Sequence, residues 1–121
     1  MKEIMLKRTK EFAINCWILC NKLPKSREYN AYVNQLIRCS SSVGANYRAS
    51  QRAKSNADFI NKLKIVEEEA DESQYFLELI LSVSAIENMN LEIQINPLIK
   101  EASEFVAIIV AAIKSTRNNN S

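Results

Sequence analysis

Apolar side chains recur along most of this chain at alternating spacings of four and three, the repeat that places them on one face of an α-helix. The cleanest run is Phe59, Leu63, Val66, Ala70, Ser73, Leu77, Ile80 and Ser84, which has the regularity of a bundle seam. An earlier stripe joins Met5, Phe12, Cys16, Leu19 and Leu23, widened by Trp17 and Ile18. Between the two lies Tyr29, Val33, Leu36, Ser40, Val43 and Tyr47. Punctuation separates the stripes. Leu23-Pro24 stops the first helix, because proline cannot continue it and biases its predecessor away from α. Ser26 and Ser55 read as N-caps, with Glu28 in the first turn after one and Asp58 as a capping-box acid after the other. Asn96-Pro97 reads as the N-cap and first position of a last helix. The pattern predicts helices over about 2–22, 27–54, 56–86 and 96–115, joined by short connections and followed by a polar tail, 116–121. The expected fold is all-α: one domain over residues 1–121, an antiparallel up-down four-helix bundle, oligomeric.

Two positions disturb this pattern. Gly44, the single glycine, falls inside the second helix, where it costs about 1 kcal/mol relative to alanine. Ser40, Ser41, Ser42 and Ala45 make the same stretch small-sided, so a close approach by another helix is expected there. The second disturbance is the run 105–113, FVAIIVAAI, which has no polar residue. A surface helix should keep one polar face. Self-association is therefore expected, with Phe105, Ile108, Ile109 and Val110 at the interface. The alternative is a helix shielded by the N-terminus or by the 87–95 connection.

Composition supports the all-α reading and narrows the chemistry. The chain has 121 residues, one Gly and two Pro, too little turn chemistry for an all-β fold. The nine apolar residues of 105–113 fall short of the roughly 20 needed to span a bilayer. No membrane association is expected. Residues 1–10 carry five charges and do not read as a signal peptide, so the expected compartment is cytoplasmic. Cys16, Cys20 and Cys39 lack zinc-site spacing and read as buried reduced thiols. The chain contains no histidine, which removes Ser-His and Cys-His triads and the Glu-x-x-His pairs of di-iron bundles. No catalytic residue, metal site or cofactor is assigned.

Charge is strongly segregated. Net charge is only +2, yet residues 1–64 hold thirteen Lys and Arg against four Asp and Glu, while residues 65–121 hold three against ten. Basic helices could pair with acidic ones, or a basic face could meet a polyanion. Lys22, Lys25, Arg27, Arg52, Lys54 and Lys62 are the candidate nucleic-acid contacts, since clustered cations suffice to hold phosphates. Asn46 and Arg48 are expected to form an interhelix polar network with Glu68, Glu69 and Glu72. Glu69-x-x-Glu72 with Glu101-x-x-Glu104 also loosely resembles the acidic pattern of all-α nucleoside triphosphate pyrophosphatases, and a Mg²⁺-dependent hydrolase is one alternative function. A pure protein–protein scaffold is the other.

Residues 38–49, RCSSSVGANYRA, followed by Ala53, Ser55, Asp58-Phe59, Lys62-Leu63, Glu68-Glu69-x-Asp71-Glu72 and Phe76-Leu77, resemble the four-helix bundle proteins encoded by intervening sequences of bacterial 23S ribosomal RNA genes. Tyr47-Arg48-Ala49 departs from the Ile-Ala-Glu-Gly turn of many members and matches a second branch. The family is similar in fold to the accessory protein of diversity-generating retroelements, which binds nucleic acid, and relatives form pentameric rings. The resemblance implies a bacterial homo-oligomer, a pentamer, with RNA or DNA as partner, RNA first, and a protein partner as the alternative.

Overall fold

The computed structural model describes residues 1–119 and consists of four helices. They are α1 (Lys2–Asn21), α2 (Arg27–Ser50), α3 (Asn56–Ile86) and α4 (Glu92–Asn119). Each packs against its neighbours in sequence, and α1 closes the bundle against α4. Short connections make successive helices antiparallel. One end of the bundle therefore holds the start of α1, the end of α2, the start of α3 and the end of α4; the other end holds the opposite termini.

Local chemistry sets the boundaries. Ser26 and Ser55 cap as expected: their hydroxyls accept from the Tyr29 and Asp58 amides at 3.2 and 3.0 Å. Asp58 reaches back to the Lys54 amide at 3.2 Å, one residue before the cap. Because Ser55 must be extended to cap, α2 ends at Ser50 rather than at residue 54, tightening through Arg52 N–Ala49 O and Ala53 N–Ser50 O bonds. The turn between α3 and α4 is shorter than expected. Asn88 takes φ 60°, the left-handed position usually given to glycine, and the Asn88 and Met89 amides bond to the Ala85 and Ser84 carbonyls. This is a Schellman closure, which satisfies the last carbonyls of α3 and lets α4 begin at once. As a result α4 starts at Glu92, not at residue 96, and Pro97 lies inside it. Pro97 leaves only the Ile93 carbonyl without its helical donor, and Ile93 is exposed to water. The expected polar tail is helical through Asn119; its last two residues lie outside the described ones.

The seams read from sequence form the core. Leu63, Val66, Ala70, Ser73, Leu77, Ile80 and Ser84 are all buried, as are Phe12, Cys16, Leu19, Leu36 and Val43. Each buried serine and threonine hydroxyl has a backbone partner; for example, Ser73 donates to the Glu69 carbonyl at 2.8 Å, and Thr9 to that of Met5 at 2.8 Å. Gly44 performs the expected role. A β-carbon there would meet Thr9 Oγ1 at 3.2 Å, so its absence lets α1 lie close against α2. All three cysteines are reduced and buried. Burial pushes the Cys16 and Cys20 thiols up to about 12 and about 11.

The apolar run of α4 corrects an expectation. Phe105 and Ile109 belong to the chain's own core, and Ile108 packs against it, with Val110 half-buried. Phe105 meets Phe12 of α1 edge-on at 5.4 Å, and the Arg8 guanidinium lies 5.3 Å above its ring. The N-terminal helix thus shields α4. The large exposed apolar side chains are instead concentrated on α1, at Ile4, Ile14, Trp17 and Ile18. Among the described residues no helix is long and apolar enough to cross a membrane.

Candidate nucleic-acid interface

The two sides of α2 treat their arginines differently. On the side facing α3, Arg38 bonds Glu69 at 2.9 Å and also pairs with Glu72. Asn46 bonds Ser42 of its own helix, through both carbonyl and hydroxyl, and does not cross to α3. Arg48 points to the other side, and Glu68 is exposed on α3. The expected polar network therefore exists only for Glu69 and Glu72, with Arg38 in place of Arg48. The reason is helical phase: a residue ten positions on, as Arg48 is from Arg38, is rotated by about 80° for an exact 100° step. A matching seam joins α1 to α4, where Arg8 is bidentate on Glu101 at 3.0 and 2.5 Å and reaches Glu104 at 3.7 Å. The two Glu-x-x-Glu pairs are each engaged by an arginine and lie on different seams. Among the described residues no group of three or more acidic or cysteine side chains could hold a metal ion.

On the side of α2 facing α1 a groove of about 620 Å³ opens along the two helices. Its floor is Leu6, Thr9, Ala13, Ser41, Gly44 and Ala45, and its rim carries Lys2, Lys10, Arg48 and Arg52. Among the described residues no carboxylate lines it, and none of these four cations makes an ion pair with a described residue. The groove follows from small side chains: Gly44 lets the backbones approach, and Ser41 and Ala45 leave the space above that contact open.

The six sequence-assigned cations do not form one site. Arg52, Lys54 and Lys62 lie at the end where α2 meets α3, and Lys22, Lys25 and Arg27 at the opposite end, a bundle length away. Arg27 pairs with its neighbour Glu28 at 2.8 Å. The end holding Arg52 also gathers Lys2, Lys64, Lys114 and Arg117, because α1 and α3 start there and α4 finishes there. Beside the groove a second hollow of about 530 Å³ is polar, lined by Lys54, Asn56, Thr116 and Asn119 among others. Sequence reasoning missed Lys2 and Lys10. The available signal was the face Ser41, Ala45, Arg48, Arg52, spaced four, three and four, which has no large apolar member and so reads as a lined surface.

These features define the class of protein: an all-α four-helix bundle with one strongly cationic end and an open, carboxylate-free groove leading from it. The chain belongs to the 23S rRNA-intervening sequence protein family, whose profile matches residues 1–113. It is similar to a solved structure from Bacteroides thetaiotaomicron, a protein with unknown function from the S23 ribosomal protein family. The two share 32% identity and superpose with a TM-score of 0.80, over 94% of this chain and 99% of that one. No curated protein matches the chain.

Proposed function

We propose that this chain is a non-enzymatic, self-associating bundle of the cytoplasm that binds nucleic acid, RNA in preference to DNA, by its phosphates. One observation carries the reading: Lys2, Lys10, Arg48 and Arg52 line a groove without a carboxylate, while Arg8 and Arg38 are neutralised elsewhere. Cations without a carboxylate partner among the described residues are the ones that can exchange counterions for phosphates. The family's description, which refers to 23S rRNA, makes structured RNA the first ligand to test. Self-association, a pentamer by the family resemblance, is supported by the exposed apolar side chains of α1.

The test is fluorescence anisotropy with labelled structured RNA and duplex DNA, titrated across salt. Binding should weaken log-linearly with salt. Replacing Arg48 and Arg52 by alanine should flatten that slope by about two, one for each phosphate no longer neutralised. Replacing Lys22 and Lys25 should leave it unchanged. An absence of binding at low salt would remove the reading and leave an interaction scaffold.

A further inference from the structure

The cationic groove runs directly into an apolar one. Ala13 and Ser41 line both, and the second, of about 270 Å³, is completed by Ile14, Trp17 and Ile37. Trp17 is 59% exposed and Ile14 47%. The α1–α2 side of the bundle therefore reads, from its basic end upward, as cations and then an aromatic ridge. The outer face of α3, diagonally across the bundle, starts with the exposed Lys64 at the same end, then turns to the opposite charge, and then to an aromatic. Glu68 and Asp71 are exposed and make no ion pair among the described residues, and Tyr75 follows, 56% exposed.

The heights of the two faces agree as well. Thr9 packs at Gly44, and Ser73 Oγ lies 3.3 Å from Cys39 Sγ across the α2–α3 seam. Gly44 lies five residues beyond Cys39 on α2, and α3 runs antiparallel, so Glu68 stands level with Gly44 and Thr9. Lys10 is then level with Glu68 to within a residue, and Trp17 with Tyr75. Lys10 to Trp17 and Glu68 to Tyr75 are both steps of seven residues, about 10 Å along a helix. A rotation about an axis parallel to the helices preserves height, and a closed ring of head-to-tail contacts is built from such rotations. An isologous pairing of the α1–α2 sides about such an axis would instead set Lys10 against Lys10, with no carboxylate to meet it.

We propose that the α1–α2 side docks the outer face of α3 of a second copy, with Trp17 against Tyr75 and Lys10 against Glu68, and that this junction completes the anion site. This deepens the self-association and nucleic-acid binding proposed above and rests on that reading. In the same register Lys64 of the second copy stands level with Arg48, since each lies four residues below the Glu68–Gly44 level. The junction therefore gathers Lys2, Arg48 and Arg52 from one copy and Lys64 from the next, all one sign. A polyanion laid across it relieves their repulsion, so that nucleic acid strengthens assembly and assembly strengthens binding.

Two experiments test the junction. Trp17→Cys and Tyr75→Cys are made in separate chains, whose native thiols are buried, and mixed under oxidation. The mixture should give a cross-linked pair of unlike chains, and neither variant alone should cross-link. Cross-linking of like with like, or a monomeric mass in the ultracentrifuge at every concentration, overturns the docking. Lys64→Glu turns the repulsive pair with Arg48 into an attractive one. It should tighten assembly in the absence of RNA while weakening RNA binding roughly tenfold at low salt. Weaker assembly of this variant, or unchanged RNA affinity, overturns the shared site. Loss of RNA binding from Trp17→Ala in a chain whose assembly is unchanged would make Trp17 a base-stacking residue, and also overturns it. RNA binding by a chain that stays monomeric leaves the nucleic-acid reading standing without the junction. Unlike-chain cross-linking without any RNA binding leaves the junction's docking standing without that reading.

Discussion

The apolar stretch of α4 and the outer face of α1 carry hydrophobic residues for opposite reasons. In α4 the large side chains Phe105, Ile109 and Ile113 point inward, and the positions turned to water between them are Ala107 and Ala111. In α1 the inward positions are filled by Met5, Phe12, Cys16 and Leu19, while Ile14 and Trp17 stand outside. The uniformly apolar segment is the satisfied one, and the segment with ordinary polar spacing holds the unsatisfied surface. Hydrophobic content thus says less about an interface than the size of the side chains at the outward positions, because an exposed alanine presents little area and an exposed tryptophan a great deal.

Several substitutions would break or sharpen this contrast. The largest effect is expected from Phe105→Ala, which should lower unfolding stability in urea by about 3–5 kcal/mol. An unchanged stability with altered assembly would return Phe105 to a copy–copy interface. Gly44→Val should cost about 1–3 kcal/mol by overpacking against Thr9, and heat denaturation would show it. Alkali probes the inner face of α1. Burial holds the Cys16 thiol at about 12 and that of Cys20 at about 11, above the ordinary 9.0. Between pH 9 and 11 the unfolded chain loses these protons first, so the folded state binds more protons and stability falls as pH rises. The slope approaches about 1.4 kcal/mol per pH unit for each thiol, and a series of urea midpoints measures it. Cys16→Ala should remove one share of that slope.

Smaller effects separate the arginines and the outer face. Arg38→Ala should cost at most about 1 kcal/mol, since its side chain is half exposed, and should leave RNA affinity unchanged. Trp17→Ser should alter the stability of the dilute monomer by no more than about 0.5 kcal/mol while weakening assembly. A large loss in the monomer would show that Trp17 supports the fold rather than a contact.

Much of the architecture was legible in the order of residues alone. The seam from Phe59 to Ser84, the caps at Ser26 and Ser55, and the close approach at Gly44 all rest on interactions within one helix or one turn, or on the small side chains of one stretch. The start of α4 was not legible, because Asn96-Pro97 imitates a cap and the real boundary depends on Asn88 accepting a left-handed conformation. The partner of the helix-three carboxylates was also misread, since Arg38 and Arg48 are both cationic and lie on the same helix. The groove cations Lys2 and Lys10 were missed because they sit far from Arg48 and Arg52 in sequence.

The sequence by itself determined four helices, their core faces and a basic N-terminal half, because periodicity, capping and charge are properties of neighbouring residues. Only the tertiary structure decided which arginines are neutralised, which apolar side chains remain outside and which cations share a groove. Those outcomes depend on the rotation of each helix about its axis and on which termini share an end of the bundle. Both are settled when the four seams pack together, where a change of one residue in phase turns a side chain by about 100°.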